Sequence, residues 1–348
     1  MAERVIGARP AVPTAPGDAA SPVRVLHVTN MWPDPERPHF GAFVEAQVQS
    51  LTRRGVDCRV VYARRDYLGL RRKTREALHA TPADVVHAHF GYSAVMIADL
   101  CRRARVPLVV SYCGGDLNGE EGPVRRRLQS WVGSVASRGV AFAAPGIVVK
   151  SERMLERLPA AARRRAHVIP NGVDLARFTP RGRDAARATL GWDDDRVVLF
   201  AGRWRDPTKN FGLAQAAVDA LNARGTRARL VPLEGVSHAE VPLWLNAADV
   251  VLLTSLREGS PNIVKEALAC DARVVSVDVG DVAWLLDGVS NARVCAYEAG
   301  ALAEGIMQVL DQERRGGRSR IERLGLDERS IAARLEHLYR ELRSRTSR

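Results

Sequence analysis

The chain lacks the signatures of several protein classes, and each absence narrows the reading. No apolar run approaches the roughly 18 residues needed to cross a bilayer. Residues 1–22, rich in Ala and Pro, hold neither the apolar core nor the small-residue cleavage site of a secretory signal. That stretch reads as a disordered leader, and the protein as cytoplasmic. The five cysteines (Cys58, Cys101, Cys113, Cys270, Cys295) are odd in number and widely spaced, with no C-x-x-C pair. This argues against a disulfide framework and a structural zinc site. G-x-G-x-x-G occurs nowhere, so a bound dinucleotide is not indicated. RNP, helix-turn-helix and zinc patterns of nucleic-acid readers are also missing.

What is present points to two globular domains. A length of 348 residues exceeds a typical single core, and 46% hydrophobic residues supply enough material for two. The net charge of +12 is uneven: residues 1–174 hold 26 Lys and Arg against 16 Asp and Glu, whereas residues 175–348 hold 26 against 24. A basic first domain implies attraction to something anionic: phosphorylated substrates, acidic lipid headgroups or nucleic acid. The segment Gly122 to Arg138 carries Arg125, Arg126, Arg127 and Arg138 beside Leu128, Trp131, Val132 and Val135. This suits peripheral contact at the inner face of a membrane as well as a solvated basic helix.

The stretch 248–270 organises the rest. Ala248 to Ser255 is a continuous apolar run of strand length, the sign of a strand buried on both faces of a parallel sheet. A helix follows, with Ser260 as the expected N-cap, Pro261 at the first helical position, and Ile263, Val264, Ala267 and Leu268 as its apolar stripe. Loops at the carboxyl ends of such strands are where ligands bind, and a helix N-terminus attracts anions. Glu258 and Glu266 stand eight residues apart across this junction.

Upstream, Val23 to Thr29 reads as the first strand, its loop ending at Gly41 before a helical pattern. His87 and His89 alternate on a later strand and share one face. They could begin a metal site, but no third ligand is evident, and none is expected. Pro107 to Tyr112 reads as a strand and runs into Cys113-Gly114-Gly115-Asp116, where paired glycines suit a sharp bend or close approach to a ligand. Arg196 to Gly202 is a glycine-ended buried strand followed by Arg203 and Lys209, two cations where a departing diphosphate would need them.

The run E-G-S-P-N-I-V-K-E-A-L-A-C resembles the E-x7-E motif of retaining glycosyltransferases of family 4. The resemblance implies an α/β chain of GT-B fold, two Rossmann-like doubly wound parallel-sheet domains facing a central cleft. It assigns Glu258 to the donor sugar's hydroxyls and Glu266 to the nucleotide ribose. Gly259, Ser260, Pro261, Asn262 and Ile263 join the donor site, and Arg203 and Lys209 match the family's diphosphate-binding pair. Gly41 matches a glycine facing the diphosphate, and His89, Cys113 and Asp116 fall on the acceptor or sugar side. Cys113 stands where the family commonly has a histidine. Asn171-Gly172-Val173-Asp174, with Phe178 and Pro180, is similar to the family's linker motif.

The expected organisation is a leader over 1–22, an acceptor-side domain over 23–174, a donor domain over 175–330 and a terminal helix over 331–348 packing back on the first domain. The function implied is retaining transfer of a sugar from a nucleotide donor to an acceptor hydroxyl, with no cofactor and no metal. Two alternatives share some of these features: a GT-B nucleotide-sugar epimerase, and a non-catalytic basic protein that binds nucleic acid.

Overall fold

Apolar strands that alternate with amphipathic helices form two parallel sheets in a computed structural model, which describes residues 6–7, 21–37, 40–118 and 124–346. The chain divides into two units. Unit 1 comprises residues 1–171 and 329–348, and unit 2 comprises 172–328. Counted this way, unit 1 carries 32 Lys and Arg against 17 Asp and Glu, a net of +15. Unit 2 carries 20 against 23, a net of −3.

The sheet of unit 1 holds β1 (Ile6–Gly7), β2 (Arg24–Thr29), β3 (Asp57–Tyr62), β4 (Val85–His89), β5 (Leu108–Ser111), β6 (Gly146–Val149) and β7 (Ala166–Val168), in the spatial order β1-β3-β2-β4-β5-β6-β7. All pairings are parallel except that of β1, which runs antiparallel to β3 from within the stretch expected to be a disordered leader. Strands β4, β5 and β6 are buried along their whole length. Helices on both faces require this, and it explains why those strands read as unbroken apolar runs. The strand order reverses between β2 and β4, so the loops after these two strands open at a switch point of the sheet.

The sheet of unit 2 repeats the plan with β8 (Arg196–Phe200), β9 (Ala228–Pro232), β10 (Val250–Leu253), β11 (Val274–Val277) and β12 (Ala292–Cys295), ordered β12-β11-β10-β8-β9 and parallel throughout. Its reversal lies between β8 and β10. Those are the strands followed by Arg203 to Lys209 and by Glu258 to Ile263.

The last helix, Glu328–Thr346, belongs to unit 1 and buries Leu335, Leu338, Tyr339 and Leu342 there. Gly146 of β6 makes room for it, since a Cβ at that position would stand 2.9 Å from Leu342 Cδ1. Glu336 accepts from Arg54 Nε at 2.8 Å. The chain therefore leaves unit 1, builds unit 2 and returns. The outgoing and incoming segments run side by side: Val173 N–H donates to Leu326 O, and Glu328 N–H donates to Val173 O. No described helix is long and apolar enough to cross a membrane. The basic stretch over 122–138 contributes to the helix Val124–Ala143, but its side chains through residue 132 lie outside the described residues.

Candidate functional site

The site in unit 2 is built from two loops at the switch point. After β8, Gly202 carries no side chain because Lys209 lies across it: a Cβ there would meet Lys209 Cγ at 2.9 Å. Pro207–Lys209 forms one turn of 3-10 helix, and Asp206 caps it by accepting from Thr208 N at 3.0 Å and Thr208 Oγ1 at 2.7 Å. Thr254, at the end of β10, donates its hydroxyl to the carbonyls of Lys209 and Asn210, and Leu256 N–H donates to Thr208 O at 2.8 Å. The two loops are thus tied together through their backbones.

Across that tie, Lys209 Nζ donates to Glu258 Oε1 at 2.6 Å, the two side chains being 26% and 15% exposed. Arg203 is far more open, with an ion pair to Asp206 at 3.5 Å. The Arg205 guanidinium lies 4.6 Å from the centre of the Trp204 ring, a cation–π contact. Gly259 is met by Gly280, which adopts φ +60° and whose Cβ, if present, would stand 2.9 Å from Gly259 O. Only a residue without a side chain allows that approach.

The helix begins one residue later than its sequence suggests. It runs Asn262–Ala269, with Pro261 in the N-cap position at φ −68°, ψ 116° and no side-chain cap. Ser260 therefore does not cap it. Its hydroxyl is buried without a hydrogen-bond partner among the described residues, which leaves a polar atom at the helix entrance for a ligand. Glu266 is buried, and its Oε1 lies 2.8 Å from His238 Nε2. The opposite ring nitrogen, Nδ1, is 3.0 Å from Arg177 Nη2. His238 lies in no recognisable motif and Arg177 only at a variable position of the linker motif, so this chain of contacts was not visible in the sequence. Asp271, at the end of the helix, takes φ 51° and accepts from Arg318 N at 2.9 Å. Here Asp serves a left-handed position that more often takes glycine.

In unit 1 the candidate residues turn inward. Gly41, at φ +80°, sits where a Cβ would lie 2.5 Å from the Met31 carbonyl carbon, so its lack of a side chain first serves the packing of its own loop. The Asp116 carboxylate is buried and accepts three backbone N–H groups, from Gly91 at 2.8 Å, Cys113 at 3.0 Å and Gly114 at 2.9 Å. It builds the loop rather than standing open to a ligand. Burial pushes the Cys113 thiol up to about 12, so it stays protonated at neutral pH.

His89, expected at the cleft, is also buried. Its Nε2 is 3.1 Å from Nδ1 of His27 on β2. This is the third histidine that the sequence did not disclose, because only sheet pairing sets β2 beside β4. His87 completes the cluster between the Tyr339 hydroxyl at 2.6 Å and Ser111 Oγ at 2.7 Å. One ring nitrogen of each histidine lies within 4.8 Å of the others. The His87 and His89 rings, however, are stacked at 4.4 Å and 23°, so their in-plane lone pairs run nearly parallel instead of converging on one ion. Burial drives all three below the ordinary histidine range. Nearby, Lys150 is buried with its ammonium donating to Ile169 O at 3.3 Å, and burial lowers it too.

Comparison with known proteins agrees with this architecture. The Glycosyltransferase Family 4 model matches residues 19–177, and the Glycosyl transferases group 1 model matches residues 215–312. A D-inositol 3-phosphate glycosyltransferase of Mycolicibacterium smegmatis is 32% identical over 273 residues, 66% of this chain and 60% of that one. The chain thus spans less than two thirds of that relative's length. A putative teichuronic acid biosynthesis glycosyltransferase, TuaC of Bacillus subtilis, is 25% identical over 82% of this chain and 88% of its own. Among solved structures, sucrose-phosphate synthase from Thermosynechococcus elongatus superposes with a TM-score of 0.73 at 19% identity, covering 92% of this chain and 99% of that one. Anabaena HepE in complex with UDP gives 0.67 at 17% identity, covering 92% and 100%. At these identities the structural likeness establishes the fold, which is GT-B.

Proposed function

Since the chain belongs to glycosyltransferase family 4, we propose that it moves a sugar from a nucleotide-diphosphate donor to an acceptor hydroxyl with retention, the donor being bound by unit 2. The observation that carries this reading is the Lys209–Glu258 contact at 2.6 Å, which joins the two loops of the switch point directly ahead of the helix that bears Glu266. A sugar diphosphate laid along these loops meets its chemistry in order. Lys209 and Arg203 face the diphosphate, Glu258 the sugar hydroxyls, and Glu266 the ribose. The Ser260 hydroxyl and the first turn of the Asn262–Ala269 helix line the same stretch.

In the transfer, the bond between the sugar's anomeric carbon and the diphosphate oxygen breaks. The acceptor oxygen bonds to the same face of that carbon, and the acceptor's proton passes to the departing diphosphate. Negative charge grows on the diphosphate as the bond breaks, so Arg203 and Lys209 act most strongly in the transition state. Glu258 makes no covalent bond in this scheme. Its carboxylate grips hydroxyls beside the reacting carbon.

The acceptor is anionic or presented at an acidic surface, a reading supported by the net +15 of unit 1 against −3 for unit 2. It accords with relatives named for an inositol phosphate and for teichuronic acid synthesis. The test is a thermal-shift screen of uridine, guanosine and adenosine diphosphate sugars. It is followed by transfer from the stabilising donor to phosphorylated polyols, with the anomeric configuration of the product read by proton NMR. An inverted product, or no stabilisation by any nucleotide sugar, would remove the reading.

A further inference from the structure

His238 holds a position that the family motifs do not describe, and its partners fix its chemistry. The Arg177 guanidinium can only donate hydrogen bonds, and a carboxylate can only accept them. Glu266 Oε1 lies 2.8 Å from Nε2, so Nε2 carries a proton and donates to the carboxylate, while Arg177 Nη2 lies 3.0 Å from Nδ1 and 3.4 Å from Nε2, against the ring rather than along the Nδ1 lone pair. Each member is held from elsewhere. Arg177 lies over the Phe178 ring at 4.8 Å, and that ring is 5.6 Å from the imidazole. The His238 loop is closed by Ser237, which donates its N–H and its hydroxyl to Glu240 Oε2 at 3.2 and 2.6 Å.

We infer that His238 is a positioning residue for the nucleotide end of the donor: it occupies one oxygen of Glu266 and so aims the other at the hydroxyls of a ribonucleoside diphosphate. This rests on the reading of Glu266 as the ribose contact. A carboxylate on a helix side can rotate about its last torsion, and a single N–H on Oε1 removes that freedom. Arg177 acts one step further back by packing against the imidazole and holding it in place. The consequence is selectivity for ribose over deoxyribose that depends on a residue remote from the E-x7-E motif.

Calorimetry with UDP, GDP and ADP, each beside its 2′,3′-dideoxy form, tests this on the wild-type chain and on His238→Ala, His238→Asn and His238→Gln. The Gln amide reaches about where Nε2 stands, whereas the Asn amide stops near Nδ1. Ala and Asn should weaken binding of the ribonucleotide about tenfold, the loss expected for one hydrogen bond to a charged group. They should leave the dideoxy form unchanged, and Gln should recover most of the affinity. Should Ala fail to fold, the contrast between Asn and Gln still decides. Equal losses for ribo and dideoxy ligands, or Asn matching Gln, would overturn the positioning role. A wild-type chain that binds none of the three nucleotides, or does not distinguish ribo from dideoxy, would instead overturn the donor site itself.

Discussion

Replacing Glu258 with Gln should have opposite effects on binding and on turnover. Lys209 is bound to Glu258 at 2.6 Å, so a diphosphate that recruits Lys209 must compete with that carboxylate. A charge-assisted hydrogen bond contributes about 1.5–3 kcal/mol when well shielded. Here Lys209 is a quarter exposed, and solvent screening reduces the net value to about 1 kcal/mol. Removing the competing charge should therefore tighten binding of the free nucleoside diphosphate about fivefold. The same substitution removes the ionised acceptor beside the reacting carbon and should lower kcat by ~10²-fold. Isothermal calorimetry with the free diphosphate, run beside steady-state kinetics, measures both quantities. Lys209→Ala in parallel should weaken the diphosphate and slow turnover together. If Glu258→Gln weakens or leaves unchanged the free diphosphate, the two side chains do not exchange partners on binding, and Lys209 is not the phosphate cation.

Tyr339→Phe deletes a buried partner of His87 and should cost about 1–2 kcal/mol in urea unfolding; an unchanged midpoint would contradict the docking role of that hydroxyl. Acid should destabilise the protein through the histidine cluster, because His27 is pushed down to about 3 and His87 and His89 well below the ordinary 6.5. The unfolded chain then binds the extra protons. Stability from this cluster should be complete above pH 6.5 and fall as the pH drops from there, with the contribution of His27 lost toward about 3. A thermal midpoint that stays flat from pH 7 to 5 would refute this. Gly280→Ala forces a Cβ to 2.9 Å from Gly259 O at φ +60° and should cost about 1–3 kcal/mol in chemical denaturation, with no loss if the loop yields freely. Transfer should survive excess EDTA, since Arg203 and Lys209 supply the positive charge; loss restored by magnesium or manganese would show otherwise.

The sequence was most legible where the signal is local. A buried apolar strand, a glycine-marked loop and an alanine-rich helix follow one another within about twenty residues, so the frame around Glu258 and Glu266 could be read from period and punctuation alone. Contacts across the sheet were not legible. His27 and His89 are 62 residues apart and meet only because β2 pairs with β4. His238 reaches Glu266 from a loop of no special composition, and Arg177 reaches His238 from the linker. Glu258 and Lys209 were each visible, but their pairing depends on the order of β8 and β10. Ser260 was misplaced as a cap because Ser-Pro-Asn offers competing cap patterns, and the backbone turned helical only after the proline. The burial of Asp116 and His89 was equally hidden, since neither a loop carboxylate nor a histidine at a strand end shows in the sequence what packs against it.

The return of the chain to unit 1 also fixes an order of events during synthesis. Unit 2 is complete once Glu328 has left the ribosome, whereas Leu335, Leu338, Tyr339 and Leu342 of unit 1 emerge only after it. Until then Gly146 faces an empty groove and His87 lacks its hydroxyl partner. The unit that begins translation first is therefore the last to close. A chain stalled or truncated before Tyr339 would carry a finished unit 2 and an unsealed unit 1, the kind of exposed intermediate that chaperones capture.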